Sequence, residues 1–256
     1  MTMYIKDSQP SALPNAEKLP TMYDLPSENQ EEPGLPDEFH WWQPHLLSDT
    51  CCLSTYESDR YFCAADLNLY YDVHHAYRYK RPDWFLVVDV PRLYEERDLR
   101  LSYVMWQEKV SPLVIVEMLS PGTEDQDLGL TTSEPNQPPT KWEVYERILK
   151  VPYYFVFSRY TNELKFFRLV KKRYREQVLN QPRVWIPELQ LGLGVWFGTY
   201  KGCDRHWLRW YDADANWIPT PEEREEQERL AKEHALERAD RLAQRLRELG
   251  INPEEL

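Results

Sequence analysis

Two acidic residues stand beside apolar runs typical of buried strands. Asp83 directly precedes Trp-Phe-Leu-Val-Val, and Glu117 lies inside Val-Ile-Val-Glu-Met-Leu. A buried carboxylate costs free energy unless it is paired or holds a metal ion. If the two strands pair, both acids converge on a hard cation such as Mg²⁺, which prefers carboxylate oxygen and retains water for chemistry. The simpler alternative is that each acid caps a turn or pairs with Arg78 or Arg81.

The elements that must position these acids are strands rich in Val, Ile, Leu, Tyr and Phe. They are predicted at 67–71, 84–90, 113–119, 153–157 and 164–169, with further β runs at 183–197. The second and third runs are apolar on both faces, which is typical of central strands in a covered sheet. Thr140 and Glu143 form a capping box, so a helix begins there and ends before Pro152. The order predicts an α/β fold with a mixed sheet flanked by helices.

A long helix is predicted at the far end of the chain. Thr220, Pro221 and Glu223 form its capping signal. Its apolar residues recur at alternating spacings of four and three until Gly250 ends it, and they are Ala235, Ala239, Leu242, Leu246 and Leu249. Two explanations are open: the narrow stripe packs on its own domain, or it forms a weak coiled coil with a second copy.

Composition divides the chain into three predicted parts. Residues 1–36 form an acidic, proline-rich extended arm, 37–219 a folded domain, and 220–256 the C-terminal helix. The net charge of -12 is concentrated at the ends, with -6 in residues 1–40 and -4 in 221–256. The body carries only -2, so the overall charge does not exclude a polyanionic partner.

Cysteine spacing and hydropathy restrict the class of protein further. None of the four cysteines forms a zinc-knuckle or redox pair, so they are expected to be reduced, small core residues. The mean hydropathy of -0.71 and the lack of a long apolar run exclude a membrane span and a signal peptide. We therefore expect a cytoplasmic protein without a membrane partner.

Several motifs follow one another in an informative order. They are KRPD at 80–83, VEMLSPGT at 116–123, Asp127, Lys141 and Tyr145, and VPYYFVF at 151–157. Over about residues 40–200 this order resembles the Uma-two family, in the versions common in cyanobacteria. That family is described as restriction endonucleases of the PD-(D/E)XK superfamily.

The resemblance implies a restriction-endonuclease-like fold and a specific site. Asp83 and Glu117 would bind a divalent metal, Mg²⁺ first and Mn²⁺ second, that activates water to hydrolyse DNA. The main-chain carbonyl of Met118 would lie beside it. The superfamily lysine two residues after the glutamate is replaced by Leu119. Lys141 matches a lysine that the family carries in the next helix, and we interpret it as the migrated lysine; the alternative is an ordinary surface lysine.

Three further residues are accessory candidates. Asp127 lies in a long connection, 120–140, and is either a ligand or hydrogen-bond partner at the site or a turn-forming acid. Asp72 ends the strand 67–71 and offers a carboxylate from a third direction, or is a turn residue. Tyr145 follows Lys141 on the same helix. His74 and His75 have no third ligand at a metal-like spacing and are interpreted as loop residues.

One further segment has two interpretations. The basic run 171–175 could meet phosphates, but it is better explained as an exposed hairpin turn between 164–169 and 176–179.

Three functions compete. The leading hypothesis is an Mg²⁺-dependent endonuclease that acts on DNA, with a homodimer suggested by the habit of the superfamily and the short heptad pattern. The second is a catalytically inactive nuclease-like module for protein or nucleic-acid interaction, which Leu119 and the weakly charged body favour. The third is a carbohydrate-active protein, whose two carboxyl groups would face each other across a cleft with no lysine between them. Convergence of the carboxylates with Lys141 distinguishes the first from the others.

Overall fold

The computed structural model describes residues 19–21, 24, 38–119, 124–134 and 137–249. The predicted arm lies almost entirely outside these residues, as does the predicted helix end at Gly250. The helices are α1 (Glu38–Thr50), α2 (Met105–Glu108), α3 (Glu124–Asp127), α4 (Lys141–Glu143) and α5 (Pro221–Glu248). A 3₁₀ turn covers Val73–His75, and a π-helical segment, Val144–Leu149, continues α4.

The strands alternate with these helices along the chain. They are β1 (Tyr61–Ala64), β2 (Leu69–Tyr70), β3 (Tyr79–Lys80), β4 (Trp84–Val88), β5 (Tyr103–Val104), β6 (Val114–Met118), β7 (Tyr153–Phe157), β8 (Leu164–Val170), β9 (Arg173–Glu176), β10 (Arg183–Ile186), β11 (Leu191–Tyr200) and β12 (Cys203–Tyr211). The predicted strand 153–157 is found with its predicted bounds. The central strands predicted at 84–90 and 113–119 are each found two residues shorter.

A six-stranded mixed sheet, in the order β1-β4-β6-β7-β8-β9, is the centre of the fold. β6 and β7 run parallel, and the other neighbours are antiparallel. A parallel pair needs a crossover, which α4 and the π-helical segment supply. The predicted mixed α/β fold with a long C-terminal helix is therefore confirmed.

The two faces of this sheet bury different partners because side chains alternate along each strand. Trp84 and Val116 belong to a core shared with α1 and with a second sheet, β10-β11-β12. Phe85 and Ile115 belong to a second core, which includes Tyr145 of the π-helical segment. Since Trp84 pairs with Val116, the antiparallel register continues to residues 83 and 117. Both acids therefore lie on the face that the π-helical segment covers.

Several elements differ from their predictions. Residues 67–71 form only the short strand β2, which pairs with β3 and β5 in a small separate sheet. β8 pairs with β9 rather than with 176–179, through an exposed turn in which Lys171 and Lys172 have φ values of 50° and 67°. α1 and β12 were not predicted, because α1 contains Pro44 and is held to β12 by tertiary contacts. The Gln43 amide bonds both main-chain groups of Leu208, each at 2.8 Å.

The long helix α5 begins with the predicted capping box at Thr220 and Glu223. Glu223 also pairs with Arg209 of β12, which attaches the start of α5 to the second sheet. No residue of α5 is buried, and Leu242 is 58% exposed. The proposed packing of its apolar stripe on its own domain is therefore not found, while the coiled coil stays a prediction.

Two expectations from the sequence concern the burial of the cysteines and the absence of a membrane-spanning helix. All four thiols are free, but Cys52 and Cys203 are exposed rather than core residues. The expectation of four core cysteines is therefore wrong for these two, which lie after α1 and at the start of β12. Within the described ranges, no helix has the length and apolar content needed to cross a membrane.

Candidate active site

Asp83 and Glu117 meet where the pairing of β4 with β6 is interrupted. By register, Pro82 stands opposite Met118. Proline has no N–H to donate, and the Pro82 carbonyl accepts from the N–H of Asp66 at 3.1 Å. The N–H of Met118 donates instead to Asp83 Oδ2 at 2.6 Å, and the N–H of Asp83 donates to Glu117 Oε2 at 3.4 Å. The proline thus opens the sheet at the point where the carboxylates approach each other.

Lys141 reaches the same point from the first turn of α4. A complete capping box between Thr140 and Glu143 fixes where this helix begins. Lys141 Nζ lies 2.9 Å from Glu117 Oε2 and 3.9 Å from Asp127 Oδ1. Its side chain is 27% exposed, whereas that of Glu117 is fully buried. Lys141 is therefore part of a carboxylate cluster and not an ordinary surface lysine.

Two tyrosines complete the enclosure of this cluster. Tyr145, four residues after Lys141 and so on the same helical face, donates its hydroxyl to Glu117 Oε1 at 2.7 Å. Tyr154 of β7 donates its hydroxyl to the main-chain carbonyl of Asp127 at 2.8 Å. The two tyrosine rings lie 5.6 Å apart. Tyr154 was not predicted for the site, although strand alternation places it on this face.

The electrostatics of the cluster are dominated by burial and by the crowding of charges. Burial raises the pKa of Glu117 to about 7, against the lowering effect of the Lys141 ammonium. Burial also raises the pKa of Asp83, and Lys141 again opposes the shift. Burial alone would lower the pKa of Lys141, but Glu117, Asp127 and Asp83 outweigh it and raise that pKa. At neutral pH Lys141 is charged, and Glu117 lies near the midpoint of its titration.

The main chain at Met118 has a partner that was not predicted. His40, buried in the first turns of α1, places its Nε2 at 3.3 Å from the Met118 carbonyl oxygen. A carbonyl oxygen has a second lone pair, so this contact leaves the Met118 carbonyl chemically able to serve as the predicted ligand. No local pattern marks His40, because only the packing of α1 brings it here.

Other candidates lie elsewhere. Asp72 caps the 3₁₀ turn by accepting from the N–H of His74, and it lies 2.7 Å from His75 Nδ1. The structure does not bring it to the cluster. Arg81, proposed as an alternative partner for the acids, pairs with Asp66 at 3.3 Å. Leu119, at the position of the superfamily lysine, is 8% exposed and belongs to the second core.

The donor chemistry of the cluster suits a hard cation. Among the described residues, no group of three or more His, Cys, Asp or Glu side chains is placed to hold a metal ion. Mg²⁺, however, binds through one or two carboxylates and keeps several waters. The opposed carboxylates of Asp83 and Glu117 supply oxygen donors of this kind. The residues present therefore fit Mg²⁺ in donor type.

The arrangement favours phosphoryl chemistry over glycoside hydrolysis. A glycosidase needs two carboxyl groups separated by a cleft for the sugar. Here the Lys141 ammonium contacts Glu117 directly, and the N–H of Asp83 also donates to Glu117. The ammonium group, and a cation that the carboxylates would hold, are suited instead to offsetting negative charge that develops on a phosphate.

A family model matches most of the length of the chain. Residues 12–199 match the model of the Uma2 family, whose description is "Putative restriction endonuclease". The chain is also similar to the crystal structure of "a putative nuclease belonging to DUF820 from Anabaena variabilis ATCC 29413". That similarity has 12% sequence identity and a TM-score of 0.39, and it covers 65% of this chain and 88% of that chain. No curated protein matches the chain significantly.

Proposed function

Because the chain belongs to the Uma2 family, we propose that it is a metal-dependent endonuclease that hydrolyses phosphodiester bonds of DNA. One observation carries the proposal. Asp83, Glu117 and Lys141 converge where β4 begins and β6 ends in the central sheet. Scattered side chains would have favoured the other hypotheses. A nuclease family also gives a reason to retain carboxylates in a place where burial makes their charge costly.

A divalent ion would be held by Asp83 and Glu117, with the Met118 carbonyl as a third oxygen ligand. Bound Mg²⁺ or Mn²⁺ supplies charge neutralisation at the phosphate and lowers the pKa of a water nucleophile. Glu117 must be ionised to bind the ion, and its raised pKa of about 7 makes this requirement dependent on pH.

The protein's own groups have separate roles in the proposed reaction. The Lys141 ammonium, held by Glu117 and Asp127, stabilises charge that develops on the phosphate oxygens in the transition state. Tyr145 orients the Glu117 carboxylate through its hydroxyl. Asp127 acts through Lys141 and is therefore a positioning residue. These roles use groups already placed by the fold, so little rearrangement is needed.

A nuclease-like module without catalysis is the second candidate. Leu119 favours it, because this position carries the lysine in the superfamily pattern and here packs in the core. The two candidates differ in a single measurable property, which is metal-dependent turnover. A cytoplasmic location and a homodimer stay predictions from the sequence.

Cleavage of supercoiled plasmid DNA tests the proposal. We expect nicking with Mg²⁺ or Mn²⁺ and none with EDTA. Asp83→Asn, Glu117→Gln and Lys141→Met should each reduce the rate at least about a hundredfold, while Lys172→Met, an exposed lysine in the β8–β9 turn, should not. Absence of cleavage by folded wild-type protein, or full activity in all three site variants, contradicts the proposal.

A further inference from the structure

The main-chain carbonyl of Met118 faces a proline where a sheet normally provides a donor. The N–H of the next residue, Leu119, donates to the carbonyl of Phe157 in β7 at 2.9 Å. Main-chain groups of successive residues in a strand point to opposite neighbours, so those of Met118 point towards β4. The residue opposite Met118 by register is Pro82, which has no N–H. The sheet bond that this carbonyl would otherwise accept is therefore not made.

His40 supplies a donor from outside the sheet. Its Nε2 atom lies 3.3 Å from the Met118 carbonyl oxygen, and the residue is only 4% exposed. A carbonyl oxygen only accepts hydrogen bonds, so Nε2 carries the hydrogen of this bond. α1 covers the face of the sheet opposite the cluster. A main-chain carbonyl, however, lies in the plane of the sheet, so a side chain of α1 can reach it.

Bonds between α1 and β12 fix the place of His40. Three residues further along α1, the Gln43 amide bonds both main-chain groups of Leu208, each at 2.8 Å. Trp210 Nε1 donates to the main-chain carbonyl of Leu47 at 3.1 Å. The histidine is therefore held at the Met118 carbonyl by the fold itself.

We infer that His40 is a positioning residue whose N–H holds the Met118 carbonyl in place as a ligand of the divalent ion. The inference rests on the proposed function and deepens it, because it assigns a residue that acts on a metal ligand. A carbonyl oxygen has two lone pairs, so a hydrogen bond to one leaves the other for the ion. Hydrogen bonds of this kind orient metal ligands, and their loss typically weakens metal binding about ten- to a hundredfold.

Three substitutions separate hydrogen bonding from packing at position 40. Gln and Met are unbranched side chains of similar length, but only Gln carries N–H donors. Phe keeps an aromatic ring, and the wild-type ring makes an edge contact with Phe39 at 6.0 Å. We expect His40→Gln to resemble wild type, and His40→Met and His40→Phe to lose metal affinity together. A role in packing alone would instead make His40→Phe the mildest change.

The measurement is the Kd for Mn²⁺, obtained without DNA from the electron paramagnetic resonance signal of the free ion. His40→Met and His40→Phe should raise the Kd about ten- to a hundredfold. His40→Gln should stay within about threefold of wild type, because it keeps a donor. Urea unfolding of each variant without metal identifies the conditions in which all of them are folded.

His45 is the matched control on the same helix. Its Nδ1 atom lies 2.6 Å from the main-chain carbonyl of Trp41, so it also contacts a carbonyl, but one of α1 itself. His45→Met should leave the Kd for Mn²⁺ unchanged.

The outcomes distinguish this inference from the proposed function. Wild-type protein that binds no Mn²⁺ overturns the metal-dependent function, and the role of His40 with it. If wild-type protein binds Mn²⁺ and cleaves plasmid, unchanged Kd values in His40→Met and His40→Phe overturn the role of His40 alone. A His40→Gln variant that binds as weakly as His40→Met does the same. Should His40→Phe fail to fold, the comparison of Gln with Met decides.

Discussion

Two buried glutamates, Glu117 and Glu146, face different surroundings on the same side of the central sheet. Glu146, 3% exposed, accepts from Arg173 Nη1 at 2.9 Å and from the N–H of Tyr174 at 2.8 Å. These bonds tie the π-helical segment to β9. Glu117 is fully buried, and the Lys141 ammonium that contacts it is shared with a second carboxylate.

The difference lies in what else surrounds each carboxylate. Arg173 and Tyr174 both donate to Glu146, as expected for a buried charge that stabilises a fold. Around Glu117, Asp83 and Asp127 add negative charge near a single ammonium group. Such crowding does not benefit folding, and it is characteristic of sites that bind a cation or perform acid–base chemistry. Of the two glutamates, Glu117 is thus the one that the fold retains at a cost.

The largest effect expected from this comparison is on catalysis. Glu117→Gln should lower the rate of single-turnover plasmid cleavage at least about a hundredfold, because the proposed cation would lose a charged ligand. Glu146→Gln should keep the rate within about threefold at temperatures where it is folded. The measurement is cleavage under excess enzyme, with circular dichroism as the folding control. Equal losses in both variants would remove the functional distinction between the two glutamates.

The next effect is a dependence of stability on pH. Burial raises the pKa of Glu117 from 4.5 to about 7, so the folded chain holds a proton that the unfolded chain releases over this range. The stability that this gives is present below pH 4.5 and is lost as pH rises through 7. Relative to Glu117→Gln, wild-type protein without metal should therefore lose roughly 3 kcal/mol of unfolding free energy between about pH 4 and 8.

Urea unfolding of both proteins across this pH range measures the difference, since titrations that the two share cancel. If the unfolding free energies of the two proteins changed with pH in parallel, ionisation of Glu117 would not destabilise the folded protein. Saturating Mg²⁺ should reduce the difference, because a bound cation favours the ionised carboxylate.

A smaller effect is expected from removing the structural glutamate. Glu146→Ala leaves the N–H of Tyr174 without its carboxylate partner. The Arg173 side chain is 60% exposed, so its guanidinium group can bond to water instead. The unfolding free energy should fall by about 2 kcal/mol, measured by urea unfolding at pH 7. Glu117→Gln should not lower it at that pH, because the substitution removes a charge that burial disfavours. A reversal of this order would mean that the Glu117 cluster is the structural one.

The smallest effect concerns the helix that brings Lys141 to Glu117. Thr140→Ala removes a capping bond and should cost about 1 kcal/mol of unfolding free energy. It should also lower cleavage a few-fold, because Lys141 lies in the turn that frays. Thr220→Ala removes the equivalent cap from α5 and should leave cleavage unchanged. The two variants compared by unfolding and by plasmid assay separate a general loss of stability from a loss of position.

Much of the candidate site could be predicted because its residues lie in segments with strong local signals. Glu117 interrupts an apolar central strand, and Lys141 follows a capping threonine. The sequence left the pairing of their strands as a condition, and the register seen in the structure places Asp83 opposite Glu117. The central strands are apolar on both faces because both faces of the sheet are covered, so they are visible in the sequence as continuous apolar runs.

The remainder depends on contacts between distant segments. α1 contains a proline, which argues against a helix, and the bonds from Gln43 to Leu208 help hold it in place. His40 enters the site only because α1 packs there. Asp72 has the same side chain as Asp83, but its carboxylate caps a local 3₁₀ turn. Residue type alone therefore does not separate a ligand from a cap.

The π-helical segment makes the site sensitive to the length of the chain. A π turn holds one residue more than an α turn, so Val144–Leu149 is equivalent to a single-residue insertion in a helix. Tyr145 faces Glu117, and Glu146, its immediate neighbour, reaches β9. Deletion of one residue after Tyr145 would rotate everything that follows by about 100°. A change that conserves every side chain of the cluster could in this way separate the nuclease-like site from its supporting edge strand.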